Sequence, residues 1–333
     1  MTKSNDFGTV FVTGATGFVG SHLVDHLIER GRRVRCLVRR TSKLKYLTHP
    51  QIELMYGGLD EQTDWDEAFD EVGTVYHVAG VTFARRPQGY FDVNQKGTEA
   101  ILAGAIKHRS HLKKFVLVSS LAAVGPARDG KPVDEQTQPA PITPYGRSKL
   151  MGEEAVHAVG DLVPSTIVRP PAVYGPRDYG VFEFFKMINS GIFPMIGNYE
   201  KRVSLVHASD LADGIILAGE SEASTGQTYF ISSPEVYPMP QIADLIAKIL
   251  DRRPRKLTIP KPIAYVAALA GEAIAALTGN PPVINRDKVT DLSQTCWGCS
   301  IERATSELSY RPQVPLEDGL RETVAWYKRE GWL

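Results

Sequence analysis

The chain has 333 residues, about twice a ~150-residue domain, which leaves room for two domains or for one α/β domain with a large extension. With 43% hydrophobic and 23% charged residues it is an ordinary globular chain, and collagen-like, disordered and disulfide-scaffold classes are excluded. Lys+Arg 38 balance Asp+Glu 38, so no global field gathers phosphates, which argues against a nucleic-acid binder; three cysteines are too few to staple the chain and point to a reducing cytoplasm.

The first residues, MTKSNDFGTVFVTG, lack the charged region, apolar run and small-residue cleavage site of an export signal. Short β-branched runs then alternate with helical patterns. Strands are predicted at Thr9–Thr13, Arg33–Val38, Ile52–Tyr56, Thr74–Val78, Phe115–Ser119 and Ser165–Arg169, and helices near Phe18–Arg30, Asn94–His108 and Tyr145–Val159. Nearly continuous apolar strands between helices predict an α/β fold with a parallel sheet covered on both faces. After Arg169 the pattern loosens: Pro and Gly cluster from Pro170 to Gly197, a strand and helix follow at Val203–Ala218, and further helices at Met239–Leu250 and Pro262–Leu277. The last of these is short of the ~20 residues that span a bilayer, and reads as a buried or surface-lying helix. Leu316, Leu320, Val324 and Tyr327 keep helical spacing in a segment that packs the C-terminus down.

Gly14, Gly17 and Gly20 follow the first strand and open the first helix, where backbone N–H groups approach a pyrophosphate that a Cβ would obstruct. A tight glycine turn serving only the strand–helix connection has the same spacing. The second strand ends in Arg39 and Arg40 rather than in an acid, which suits the 2′-phosphate of NADP over NAD; a solvated basic turn is the alternative. Tyr145 and Lys149, at i and i+4, share one helix face, so an ammonium near the phenol would lower its pKa toward acid/base work at neutral pH. Ser119 and Ser120 end the preceding strand, at the edge where parallel strands deliver substrate. Cys296 and Cys299 have CxxC spacing but no second ligand pair, so they read as a fortuitous pair beside Trp297, with no metal; His77 and His207 read as satisfied strand residues.

The motifs TGATGFVG, VYHVAG, NQKGT, VLVSS, Tyr145-x-x-x-Lys149, RPPAVYGP and VHASDLA resemble, in order and over nearly the whole chain, the extended short-chain dehydrogenase/reductase superfamily. The second strand VRCLVRR resembles the dihydroflavonol-reductase branch, and the tail ending in LSYRP the 3β-hydroxysteroid-dehydrogenase branch. The resemblance implies a Rossmann-type doubly wound sheet with a smaller interleaved lobe. The nucleotide part would be residues 7–171 with about 203–232, and the substrate lobe about 172–202 with 233–330. It implies Tyr145 as acid/base, Lys149 as the ribose-holding cation, Ser120 on the substrate oxygen and Asn94 in support. The cofactor would lie along Gly14, Thr16, Gly17, Phe18, Val19 and Gly20, then Arg39, Arg40, Ala79, Gly80, Ser119, Pro170 and Val173. Leu59 and Asp60 would lie near the adenine, but Gly57-Gly58-Leu59-Asp60 replaces an expected Gly-Asp-Leu, so the acidic contact is displaced or absent.

A dehydratase of the superfamily would carry an Asp-Glu pair where Leu121-Ala122 stand. The expectation is therefore an NADP(H)-dependent oxidoreductase acting on a ketone or secondary alcohol of a steroid-like or flavonoid-like small molecule. Phe83, Arg177, Phe185 and Arg202 are the substrate-side candidates, with ordinary core packing the reading for most of the neighbouring phenylalanines. A nucleotide-sugar epimerase retaining NAD(P), with Arg177, Lys201 and Arg202 on a diphosphate, and a non-catalytic nucleotide sensor stay open. The helices at Asn94–His108 and Tyr145–Val159 are those through which the superfamily forms homodimers.

Overall fold

The computed structural model describes residues 8–333 apart from residue 61, residues 198–199 and residues 279–284. Residue 7, the expected start of the nucleotide part, and the leader reading of the first residues lie outside the described residues.

The first half of the chain alternates strand and helix. β1 (Thr9–Thr13) leads into α1 (Phe18–Glu29), followed by β2 (Arg33–Val38), β3 (Ile52–Tyr56), α2 (Trp65–Phe69) and β4 (Val72–His77). α3 (Pro87–Phe91) runs through a π-helical turn at Asp92–Lys96 into α4 (Gly97–Lys107), and then come β5 (Lys114–Val118), α5 (Pro144–Ala158) and β6 (Ser165–Arg169). Expected and observed bounds coincide at β1, β2, β3 and β6; the π turn was not expected.

Farther on lie β7 (Ala172–Tyr174), α6 (Phe182–Asn189), β8 (Ile192–Ile196), β9 (Arg202–His207), α7 (Ala208–Glu220), β10 (Thr228–Phe230) and β11 (Val236–Pro238). α8 (Met239–Leu250), β12 (Arg255–Ile259), α9 (Lys261–Thr278), α10 (Arg286–Leu292), β13 (Cys296–Trp297), α11 (Glu302–Glu307) and α12 (Leu316–Arg329) complete the chain.

Seven strands form one parallel sheet in the order β10-β6-β5-β4-β1-β2-β3. Strand order reverses between β1 and β4, and a crevice opens there at the carboxyl ends of the strands. α1 and α7 cover one face over a core that includes Val12, Leu23, Val24, Leu27 and Ile215. On the other face Phe11, Phe69, Ile101 and Phe115 are buried, each such side chain contributing roughly 1.5–3 kcal/mol.

β9 pairs in parallel with β7 and β13 and antiparallel with β11 in a separate small sheet. The return to the main sheet therefore begins with α7 rather than at residue 203, because β9 spends its edges on β7, β11 and β13. A two-stranded sheet of β8 and β12 carries α9 after it. α12 buries Leu316, Leu320, Val324 and Tyr327 against α8, the face that its spacing predicted.

Candidate active site

The cradle at the end of β1 is shaped by glycine. Gly14 has φ +74°, and a Cβ on it would stand 2.6 Å from the Ala79 nitrogen, so side chains are excluded where β1 and β4 come together. A Cβ on Gly20 would collide with the Gly14 carbonyl, which lets α1 pack hard onto the turn. Gly17 is the N-cap of α1 and no side chain caps the helix. The first N–H groups of α1 thus point into space that no Cβ fills, which is the arrangement that a dinucleotide pyrophosphate requires, and the residues present fit that group. Thr16, Phe18 and Val19 stand at the same turn; Phe18 packs edge-on to His22, and Val19 lies against the core.

Arg39 and Arg40 are exposed past the end of β2, with Arg40 5.5 Å from the centre of the Tyr56 ring. Leu59 packs against Gly97 of α4. Asp60 is exposed and accepts a 3.1 Å bond from the Gln62 nitrogen within its own turn.

Four side chains converge at the carboxyl ends of β4 and β5. The π turn places Asn94, 2% exposed, so that its Oδ1 accepts from the Val81 nitrogen at 2.8 Å and its Nδ2 donates to Ser148 Oγ at 2.9 Å. A Cβ on Gly80 would stand 3.1 Å from Asn94 Oδ1 and 3.5 Å from Lys149 Nζ, so Gly80 lies directly beside both. Thr143 caps α5 at the Gly146 nitrogen, and Pro144 opens the helix, which fixes where Tyr145 emerges. Ser120 lies within hydrogen-bonding reach of the Tyr145 phenol, and its Oγ accepts from the Ala122 nitrogen at 3.1 Å.

The electrostatics differ from the sequence expectation. Lys149 Nζ, one helical turn from Tyr145, donates to the Val118 carbonyl at 2.7 Å, and burial brings its pKa down to about 8, with Glu153 pulling the other way. Burial pushes the Tyr145 pKa up, Ser120 opposes this, and the charges of Asp291 and Tyr90 add to the rise. One N–H of the Lys149 ammonium is engaged by Val118, and burial dominates the shift of the phenol. The phenol is therefore protonated at neutral pH.

Ser119 does not join the group. Successive residues of a strand face opposite sides, and its hydroxyl donates to buried Glu153, whose other oxygen holds Arg169 at 2.6 Å. Pro170 accepts from the Leu121 nitrogen at 2.8 Å, and Val173 on β7 packs against the main core. Of the substrate-side residues, Phe83 is 47% exposed on the loop after Gly80, whereas Phe185 is 0% exposed, packed edge-on against Tyr327 in the core where no substrate reaches. Arg177 pairs with Asp25 of α1 at 2.8 Å and lies 4.5 Å over Tyr46, so its charge is spent beside α1. Arg202 is exposed at the start of β9, 3.4 Å from the Val236 carbonyl.

Two residues that sequence reasoning missed complete the surroundings. Tyr90 of α3 packs 6.0 Å from the Tyr145 ring, and Asp291 of α10 faces both phenols, its own pKa raised to about 7 by burial and then by Asp287. Neither lies near Tyr145 in sequence, and no motif marks them. Cys296 and Cys299 are buried and free, and burial pushes the Cys299 thiol up to about 12. His77 is buried between Thr13 and Thr98, and His207 caps α7. Among the described residues no group of three His, Cys, Asp or Glu is placed to hold a metal.

Comparisons place this architecture. Residues 10–232 match the family model described as NAD dependent epimerase/dehydratase family. The chain is 32% identical over 328 residues to the ceramide reductase of Caulobacter vibrioides, covering 98% of this chain and 96% of that protein. It is 26% identical over 346 residues to the 3 beta-hydroxysteroid dehydrogenase/Delta 5-->4-isomerase of Mycobacterium tuberculosis, covering 97% and 91%. Among solved structures, UDP-glucuronic acid 4-epimerase from Bacillus cereus in complex with NAD superimposes with a TM-score of 0.79 at 22% identity, covering 98% of this chain and 100% of that one, a likeness of fold. The chain belongs to the NAD-dependent epimerase/dehydratase family of extended short-chain dehydrogenases/reductases, and is an NAD(P)-dependent enzyme.

Proposed function

We propose that the protein is an NADP(H)-dependent oxidoreductase that reduces a ketone, or oxidises the matching secondary alcohol, in a mainly apolar substrate of lipid or steroid type. The observation that carries this reading is the Ser120–Tyr145 hydroxyl pair beside buried Lys149 and Asn94. A bound nicotinamide supplies or accepts the hydride. Tyr145 gives its proton to the substrate oxygen, and Ser120 holds that oxygen in line. Tyr145 in its protonated form is the acid in the reducing direction, and its phenolate is the base in the oxidising one. Asn94, tied to Val81 and Ser148, keeps the loop after β4 in place beside Lys149. Arg39 and Arg40 favour NADP over NAD.

The two named relatives act, by their names, on a ceramide and on a steroid, and both are apolar. A sugar-nucleotide substrate is less well served: of the three cations named for a diphosphate, Arg177 is held by Asp25 and Tyr46, and Lys201 is buried with its pKa down to about 8, which leaves exposed Arg202.

NADPH oxidation against a panel of apolar ketones tests the reading. We expect turnover by the wild type and a loss on the order of a thousandfold in kcat for Tyr145→Phe, with NADPH affinity nearly unchanged. Substantial turnover by the variant would remove Tyr145 from its role. Tighter binding of NADH than of NADPH would reverse the cofactor assignment, and interconversion of UDP-glucose and UDP-galactose without ketone reduction would reverse the substrate class.

A further inference from the structure

We infer that α9 lies on an anionic lipid bilayer and seats the enzyme on the membrane surface. No charged residue occurs from Pro262 to Gly271, so the helix has no polar face to offer to water. Its inner side is narrow: Ala264 and Ala268 are buried against Ile196 and Val289, and Glu272 on the same side pairs with Arg286. Several apolar residues between residues 263 and 273 point outward. Ile263, Val266 and Leu269 are 60%, 67% and 50% exposed, and Ala267, Ala270 and Ala273 are exposed between them. At 3.6 residues per turn these positions cover an arc of roughly 160°. An apolar face this wide belongs in a core or a membrane, and among the described residues the protein covers only the inner side of the helix. Among the described residues no helix is long and apolar enough to cross a membrane; an exposed apolar arc on an 18-residue helix suits one lying in the interface.

The charge around the helix selects the occupant. Arg252, Arg253, Arg255 and Lys256 fall in the nine residues that lead into α9, which itself opens on Lys261; Asp251 stands just before them, Arg255, Lys256 and Leu257 are exposed on β12, and Lys256 pairs with Asp244 of α8 at 3.3 Å. Basic side chains in the segment that enters an apolar stripe match an anionic surface with an acyl layer beneath it. A second copy of the chain docked through the same face would bring two such segments together and repel.

The face is also continuous with the candidate site. α10 packs on α9, where Tyr265 bonds Thr290 at 2.8 Å, and the next residue of α10, Asp291, faces Tyr145. One helix therefore separates the bilayer-facing stripe from the hydroxyl pair. The docking itself stands on α9 and β12 and does not require the proposed chemistry.

Flotation of the full chain with vesicles separates the outcomes. Vesicles of phosphatidylcholine in which one lipid in four is replaced by phosphatidylglycerol should carry the wild type upward, and vesicles of phosphatidylcholine alone should carry much less. Val266→Asp with Leu269→Asp should lower partitioning at least about tenfold. Arg255→Glu with Lys256→Glu should lower it by about fivefold for each lost cation and flatten its salt dependence. All these positions are exposed, so unchanged far-ultraviolet circular dichroism and melting would show that the variants fold. Wild type that stays in the aqueous layer with anionic vesicles overturns the inference. So does a stable dimer without lipid that Leu269→Asp dissociates, since the stripe would then be covered by a second copy.

Discussion

α5 and α9 depart from the usual partition of side chains in opposite ways. α5 is a polar segment, yet it buries Ser148, Lys149 and Glu153. α9 is apolar, yet it leaves Ile263, Val266 and Leu269 in water. Buried charge and exposed apolar surface are the two observations that carry information about function, since each is unfavourable unless something answers it. In α5 the answer is inside the protein: Val118 accepts from Lys149, and Arg169 and Ser119 bond Glu153. In α9 nothing among the described residues covers the outer arc. One helix is polar because it serves an internal site, the other apolar because it faces outward to a partner.

The internal side of this comparison predicts the largest effect. Glu153 and Arg169 are 1% and 5% exposed and bonded through two contacts, at 2.6 and 3.0 Å. Removing one partner leaves the other charge uncompensated, so Glu153→Ala should destabilise the protein by about 3–5 kcal/mol in denaturant unfolding. Glu153→Leu combined with Arg169→Met should recover most of that loss. If the single variant costs under about 1 kcal/mol, then α5 does not hold its charges by internal pairing and the contrast with α9 fails.

What the sequence made legible follows the same division. Strands β1, β2 and β6 were readable to the residue because parallel strands inside the sheet are largely apolar on both faces, and β3, at the sheet edge, because its short apolar run stops at Gly57; the other three are followed by glycine, arginine or proline. The glycine cradle and the Tyr145–Lys149 pair were readable because their chemistry fixes residue type and spacing within one turn. The Glu153–Arg169 pair, Tyr90 against Tyr145 and Asp291 facing both were not, because each joins elements far apart in the chain. The burial that raises the Tyr145 pKa was hidden for a related reason. Position i+4 gives proximity on a helix, but only the fold shows that the ammonium turns to Val118 instead. The exposure of α9 was equally hidden: a helix with no charged residue from Pro262 to Gly271 has too little periodicity there to say which side faces water.

A smaller effect separates the two helices by pH. The pKa of Lys149 is about 8 in the folded chain and about 10.4 in an unfolded one, so the unfolded state binds its proton more tightly. Below pH 8 the buried ammonium therefore lowers stability, by up to about 3 kcal/mol, and this burden fades as pH rises from 8 toward 10.4, where the folded state has already released the proton. Lys149→Met should be more stable than wild type at pH 7 and lose that advantage as pH approaches 10, followed by chemical unfolding at each pH. A variant that is less stable than wild type throughout would show that the bond to Val118 outweighs the cost of burying the charge.

The smallest effect belongs to α9, and its smallness is the point. If the outer arc of α9 meets only water in the isolated protein, then Leu269→Asp removes no internal contact and should change the unfolding free energy by no more than about 0.5 kcal/mol in the absence of lipid. The same substitution at a core leucine leaves a cavity and an unpaired charge, and costs several kcal/mol. Thermal unfolding of Leu269→Asp without vesicles is the check. A destabilisation above about 2 kcal/mol would mean that Leu269 is packed in solution, and that α9, like α5, finds its partners inside the protein.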